Sequence, residues 1–431
     1  MKRTVYKKLL EWKQKRIRKP LLLHGARQVG KTWLMKEFGK NEYENTVYIN
    51  FDNNKTAKEI FKIDYDIKRI ISALKILSRE PVNTESTLII FDEIQECPEA
   101  LGCLKYFYEE CPDYHIIAAG SLLGLALHEK TSFPVGKVDF INVFPLSFSE
   151  FLDATGNGEI LSPAFEKNFY AVSPFASVLK EMLRKYYYVG GMPEAVMTYI
   201  ETDDLYQTRE VQKNLLTYYE SDFSKHAPRE QIPRIQMVWN SVPAQLAKEN
   251  RKFVYGVIRE GARAKDYELA IQWLADYGLI FKSTRIRKPA LPVKAYEEQS
   301  AFKMFLNDIG LLGAMADLPA VTVINGNRIF SEFKGALTEQ FAAQELRTAG
   351  FQLYYYSTEN SDGEIDLVIQ KEDRIIPVEV KAEENLRAKS LKAYCNKYSP
   401  LEAVRTSMSD YRQEEWMTNV PLYLLSEYMK F

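Results

Sequence analysis

The stretch Gly25-Ala26-Arg27-Gln28-Val29-Gly30-Lys31-Thr32 decides how the chain is read; Leu21-Leu22-Leu23-His24 precedes it and Trp33-Leu34-Met35-Lys36-Glu37-Phe38 follows it. The spacing is that of a GxxxxGKT phosphate loop, and it stands where such a loop has a physical purpose, between an apolar strand and the start of a helix. The glycines permit the turn, and successive backbone N–H groups then face phosphate oxygens. Lys31 reaches the β and γ phosphates, and the Thr32 hydroxyl completes a magnesium shell. Nucleotide contacts are therefore expected along Gly25, Ala26, Arg27, Gln28, Val29, Gly30, Lys31, Thr32 and Trp33, with ATP and Mg2+ as the ligands.

Outward from the loop, three further apolar runs read as strands: Thr46 to Asp52, Thr87 to Glu93 and Tyr114 to Ser121. Helix-length segments separate them, so the first 150 or so residues alternate strand and helix, the pattern of a parallel α/β sheet. The third strand ends in Asp92-Glu93, about 60 residues after the loop. There Asp92 can hold the water shell of magnesium, and Glu93 can orient and deprotonate an attacking water. Lys31, Asp92 and Glu93 are accordingly the candidate catalytic groups. The bland alternative is an acidic strand end that caps the next helix.

The chain has 431 residues with 57 Lys plus Arg against 58 Asp plus Glu, enough length for two to four domains and a near-neutral total. A hydrophobic fraction of 46% excludes a wholly disordered chain, and the neutral balance excludes a uniformly basic nucleic-acid coat. Four cysteines without a CxxC pair point to a reducing compartment rather than a disulfide framework or a zinc site. No run approaches the 18 or more apolar residues of a spanning helix, so the expectation is a cytoplasmic protein without a membrane partner. Local charge is uneven: residues 2 to 19 carry nine basic groups against Glu11, in a pattern that predicts a helix gathering Leu9, Leu10 and Trp12.

Taken together, GARQVGKT, YINFD, IIFDEIQECPE, IIAAGSLLG and VFPLSFSEF resemble the prokaryotic AAA-type P-loop ATPases that carry a C-terminal domain of unknown function 4143. YVGGMPEA, EIDLVI and VEVK extend the resemblance over nearly the whole chain. It implies an AAA-like domain at residues 1–155, a helical region at 156–235, a winged-helix-like domain at 236–298 and a restriction-nuclease-like α/β domain at 299–431. It also implies that Ser121 occupies the polar sensor position beside the γ phosphate; capping of the following helix is an equal alternative for that serine. Where the family has Gly-Arg before PLSF, this chain has Gly136-Lys137, and a lysine does not supply the bidentate fork of an arginine finger. Arg27, Arg184 and the basic N-terminal helix remain candidates for a charge acting in trans, in which case active sites would be completed between subunits.

Two regions beyond the loop bear on partners. Residues 244–288 resemble a winged helix whose third helix, about Ala264 to Tyr277, is acidic at Asp266, Glu268 and Asp276 and reads mostly as packing surface. The wing that follows carries Lys282, Arg285, Arg287, Lys288 and Lys294 with no acid among them, a charge run that suits phosphate contacts or a solvated face. Tyr218, Asp222 and His226 resemble a family motif with no chemistry assigned. In the last domain Glu339, Asp366, Glu379 and Lys381 stand in the order of the PD-(D/E)xK nuclease fold. With Glu339 on the preceding helix and Asp366, Glu379 and Lys381 on neighbouring strands, such a set can bind a divalent ion through two carboxylates while the lysine steadies a water or developing phosphate charge. Cleavage, nucleic-acid binding and scaffolding all remain open for it. The expected function is Mg-dependent ATP hydrolysis coupled to DNA binding or processing; the alternative is a nucleotide-switched protein-interaction module, in a homo-oligomer or with a protein partner, whose nuclease-like domain is inactive.

Overall fold

The computed structural model describes residues 1–120, 133–248, 251–325, 331–358, 363–382 and 388–431. They fall into two compact units, Lys2–Phe144 with Asp276–Gly278, and Pro145–Ala275 with Leu279–Phe431.

The first unit is a five-stranded parallel sheet built from β1 (Leu21–His24), β2 (Asn45–Asn50), β3 (Thr87–Asp92), β4 (His115–Ala119) and β5 (Asp139–Asn142), in the order β2-β3-β4-β1-β5. β3 and β4 are buried along their whole length, as central parallel strands covered on both faces must be. β5 escaped the sequence reading because it is short and half exposed, with Asp139 and Asn142 at its ends. Helix Ile67–Ser78 buries Ile67, Ile70, Ile71 and Leu74 at helical spacing, and Asp66 starts it by accepting from the Lys68 and Arg69 amides. Each such side chain contributes about 1.5–3 kcal/mol on burial. Phe51, Phe61, Phe91 and Phe107 share the same core. Helix Val5–Lys13 buries Val5, Leu9 and Trp12, while Lys7, Lys8 and Glu11 face water. The sequence grouping of Leu9 with Trp12 is thus a packed face, with Leu10 at its margin.

The second unit opens with helices, among them Phe148–Ala154, Ala176–Val189, Pro193–Thr202, Leu205–His226 and Ile232–Leu246. Ser147 and Glu150 form a reciprocal capping box at the start of the first. This PLSF helix, placed with the ATPase domain by the sequence, packs in the second unit: the Phe148 amide donates to Glu345 over 3.0 Å. The break at GGMPEA is fixed by Asp308, whose carboxylate accepts from the Gly191 amide at 2.6 Å.

Helices Ile232–Leu246, Tyr255–Ile258 and Ala264–Asp276 lead into the antiparallel hairpin of β6 (Ile280–Ile286) and β7 (Glu297–Leu306), a winged-helix-like order. Tyr267, Ala270, Ile271, Trp273 and Leu274 of the third helix are buried, in keeping with a packing surface. The hairpin is also the edge of a larger sheet. β6 pairs in parallel with β8 (Tyr354–Ser357), which continues through β9 (Glu364–Lys371), β10 (Arg374–Val380), β11 (Val404–Ser407), β12 (Arg412–Gln413) and β13 (Thr418–Pro421) in the order β12-β13-β11-β10-β9-β8-β6-β7. Residue 298, where the sequence sets a domain limit, lies inside β7, and the wing and the C-terminal domain share one sheet. Helix Ser331–Thr348, the antiparallel β8-β9-β10, helix Lys389–Tyr398 and the parallel β11 follow the αβββαβ order of the restriction-nuclease fold. Among the described residues no helix is long and apolar enough to cross a membrane.

Candidate active site

The loop between β1 and helix Lys31–Glu42 takes the conformation its glycines permit. Gly25 has φ +154°, and a Cβ there would stand 2.1 Å from the Val143 carbonyl oxygen; Gly30 caps the helix at φ +93°. The helix begins directly after the loop, and the first amides of a helix, which have no intrahelical acceptor, are groups that bind anions. Lys31 is nearly buried, and its ammonium donates to the carbonyls of Gly25 and Ala26 at 2.7 Å each. Burial pulls the ammonium down to about 8, an effect opposed by the charges of Glu93 and Asp92. It is still cationic at neutral pH, and an incoming phosphate gives it a stronger partner than two carbonyls.

Asp92 ends β3, which β4 separates from β1. Its Oδ2 accepts from the Thr32 hydroxyl and from the Tyr48 hydroxyl, both at 2.8 Å, and its Oδ1 accepts from the Glu93 amide at 3.1 Å. Thr32 and Asp92 therefore meet as a hydroxyl and a carboxylate, the oxygen donors that magnesium takes. The fit is good, since magnesium in such sites uses one or two protein oxygens and fills its octahedron with water and phosphate. Glu93 sits at φ +51°, and its Oε2 accepts from the Gln95 side-chain Nε2 at 2.7 Å, which sets the orientation of the carboxylate.

Sequence reasoning missed three supports of this site. Tyr48 on β2 reaches across to Asp92; burial, and then the proximity of Asp92, push its phenol up to about 12, so it stays a donor. Gln95 is the second. The third is Arg3, whose guanidinium donates to the Val29 carbonyl of the loop at 3.0 Å and to the Phe144 carbonyl at 2.6 Å. Inside a basic run, Arg3 has no sequence signal to set it apart from its solvated neighbours. Trp33 is about half exposed on the helix that follows the loop, and Arg27 is exposed within the loop. Ser121 lies outside the described residues. Lys137 is bound within its own unit, 2.9 Å from Glu109 and over the Tyr108 ring, and Arg184 is exposed.

The second predicted centre has a different constitution. Glu339 is fully buried, and the two oxygens of its carboxylate are taken by two cations: Lys303 on Oε1 at 2.8 Å and Arg251 on Oε2. Lys303 also meets Glu364 at 2.7 Å, and Asp366 accepts from the Val380 amide at 2.8 Å. Burial first, and then Glu339, push the Asp366 carboxyl up to about 6. Glu379 turns elsewhere: Lys381 stands 2.6 Å from its Oε1 and the Leu391 amide donates to its Oε2. The predicted quartet thus resolves into Glu339 and Asp366 around Lys303, and a separate Glu379–Lys381 pair. Among the described residues no three acids, histidines or cysteines stand together as a metal ligand set.

The wing is less basic than its sequence. Glu298, four residues past Lys294, accepts from Arg285 at 2.8 Å and lies 3.5 Å from Arg287, while Lys282 stacks over Phe302. Lys288 and Lys294 remain exposed. Tyr218, Asp222 and His226 lie along the long helix Leu205–His226, with Asp222 buried and Tyr218 exposed.

A strand–loop–helix phosphate cradle, with a carboxylate pair at the end of the strand beyond its neighbour, defines the P-loop nucleotide-binding class, in its AAA form. Comparison with known families agrees: residues 17–152 match the AAA domain, 180–322 a domain of unknown function (DUF8612) and 334–425 a domain of unknown function (DUF4143). The chain thus carries an N-terminal AAA-type P-loop domain and a C-terminal DUF4143 domain. Several solved structures are similar, three of them as follows. The Walker-type ATPase PABY2304 of Pyrococcus abyssi is 17% identical over 72% of this chain and 94% of its own, with a TM-score of 0.44. The ORC1 protein of Aeropyrum pernix, solved in complex with DNA, is 14% identical over 74% and 92%, with a TM-score of 0.27. Cdc6p from Pyrobaculum aerophilum is 12% identical over 74% and 91%, with a TM-score of 0.24. No curated protein sequence matches the chain.

Proposed function

We propose that this protein binds ATP and hydrolyses it in a magnesium-dependent reaction, and that nucleotide state governs what its second unit binds. The observation that carries the reading is the joint placement of Lys31, Thr32, Asp92 and Glu93 around one phosphate loop. The loop amides and Lys31 hold the β and γ phosphates, and Thr32 with Asp92 would hold magnesium. When bound, that ion adds its charge against the phosphate oxygens. Glu93 positions a water in line with the bond to be broken and accepts its proton, and Lys31 steadies the charge that builds on the departing oxygen. Gln95 keeps Glu93 aimed, and Tyr48 keeps Asp92 aimed.

Nucleotide binding by the purified chain, with and without Lys31→Ala, tests the site: ATP should be held by the parent chain and lost from the variant, and equal affinity in both rejects it. For the second unit, DNA is one candidate partner, with Arg287, Lys288 and Lys294 as phosphate contacts. The pairing of Arg285 and Arg287 with Glu298 favours the other, a nucleotide-switched protein-interaction module. Salt separates them, because DNA held through phosphates is released steeply as salt rises. Retention that ignores salt, or is absent at low salt, selects the protein partner.

A further inference from the structure

The C-terminal fold and the order Glu339, Asp366, Glu379, Lys381 imply a divalent metal, yet the donor set does not suit one. A metal site of this kind needs carboxylate oxygens that converge on a common point with no cation of the protein between them. Here that point is taken. Lys303 is fully buried, and its ammonium makes 2.8 and 2.7 Å contacts to Glu339 and Glu364 and lies 3.4 Å from the Asp366 carbonyl oxygen. Arg251 takes the second oxygen of Glu339, and Lys252 stands 3.9 Å from the second oxygen of Glu364. Three acids and three cations are thus gathered here, Glu339 and Glu364 in ion pairs and the Asp366 carboxylate held by the Val380 amide beside them.

Lys303 is also not placed to withdraw. Its strand is paired with β6 opposite Ser283, its backbone bridges to Lys252 on the other side, and the Phe253 amide donates to the Phe302 carbonyl at 2.8 Å. The ammonium is further covered by the Tyr355 ring, 5.1 Å away. Glu379, the acid that would complete a nuclease centre, is committed to Lys381 and to the first turn of helix Lys389–Tyr398. A divalent ion would have to enter a neutral cluster and expel a buried ammonium from its partners.

We propose that the Lys303 ammonium occupies the place of the divalent ion in this nuclease-like centre, so that the C-terminal domain is held together by an internal ion-pair core and does not cut phosphodiesters. The inference stands apart from ATP hydrolysis. It is therefore tested on the full chain carrying Lys31→Ala, without nucleotide, using Mn2+ alone as the probe. Paramagnetic resonance of bound Mn2+, together with nicking of supercoiled plasmid, is read for this chain and for the same chain with Asp366→Asn. The expected result is that neither Mn2+ retention nor nicking depends on Asp366, any Mn2+ held at Thr32 and Asp92 being the same in both chains. Mn2+ binding or nicking that Asp366→Asn removes overturns the proposal. Lys303→Met should lower the melting temperature sharply or prevent folding, whereas Lys303→Met with Glu339→Gln, which takes away the carboxylate that Lys303 neutralises and leaves an amide oxygen for Arg251, should recover part of the loss. A Lys303→Met chain that melts with the parent overturns it as well.

Discussion

Glu345 offers a test of how the second unit is held together. Its carboxyl is fully buried on helix Ser331–Thr348 and accepts from the Phe148 amide at the start of the PLSF helix. Burial is the main cause that pushes it from 4.5 up to about 7; the Phe148 amide opposes the shift, Glu427 adds to it, and Ser426 and Lys430 oppose it. The folded state therefore keeps a proton that the unfolded chain gives up near 4.5. This contribution is fully present below pH 4.5, is lost as pH rises to about 7, and is flat beyond. At about 1.4 kcal/mol per unit, the ionised form costs the folded state roughly 3 kcal/mol at pH 8, a ceiling that local relaxation lowers. Glu345→Gln keeps an acceptor for the Phe148 amide and removes the charge. Urea unfolding of both chains at pH 4.5 and pH 8 should show the variant more stable by about 1–3 kcal/mol at pH 8 and little changed at pH 4.5. Asp308 and Asp366, each pushed up to about 6, give slopes of the same sign in both chains, so the difference between them isolates Glu345. A variant no more stable than the parent at pH 8, or equally stabilised at both pH values, refutes the reasoning.

Two predictions concern the nucleotide site. Tyr48→Phe removes one of the two hydroxyl donors on Asp92 Oδ2, and ATP turnover should fall by about 5- to 30-fold, about 1–2 kcal/mol, with nucleotide affinity nearly unchanged; steady-state turnover beside a binding isotherm reads the two separately. Arg3→Met removes the guanidinium that braces Val29 and Phe144, so the first unit should melt lower and ATP should bind about 10-fold more weakly, by roughly 1.4 kcal/mol, at a temperature where the variant is folded; titration calorimetry measures it.

Much of this architecture is legible in the sequence because local chemistry dictates it. GARQVGKT between LLLH and WLMKEF can form little else, and Asp92 follows a run that must be buried on both faces. β5 was missed because DFIN is too short and too polar at its ends to register as a strand. The site's supports were hidden for another reason: Arg3 and Tyr48 act through distant residues, and a basic run or an alternating strand gives no hint of which member turns inward. Lys303 did leave a signal. A lone lysine in SAFKMFL, otherwise an apolar strand end, asks what acid it faces, and Glu339, on the next long helix, answers. The order Glu339, Asp366, Glu379, Lys381 was readable, but the order of residues says nothing about which cation stands among them. In the wing, likewise, the basic run ends at Lys294, and the acid that pairs with it lies four residues further on, across the hairpin.

The most direct test of the central claim is magnesium-dependent ATP turnover by the purified chain beside Glu93→Gln and Lys31→Ala. The parent chain should release phosphate when magnesium is present. Glu93→Gln should bind ATP yet turn it over at least about 100-fold more slowly, as loss of a general base requires, and Lys31→Ala should neither bind nor hydrolyse. Phosphate release that survives in both variants at the parent rate would contradict the account and place any hydrolysis elsewhere than on this loop.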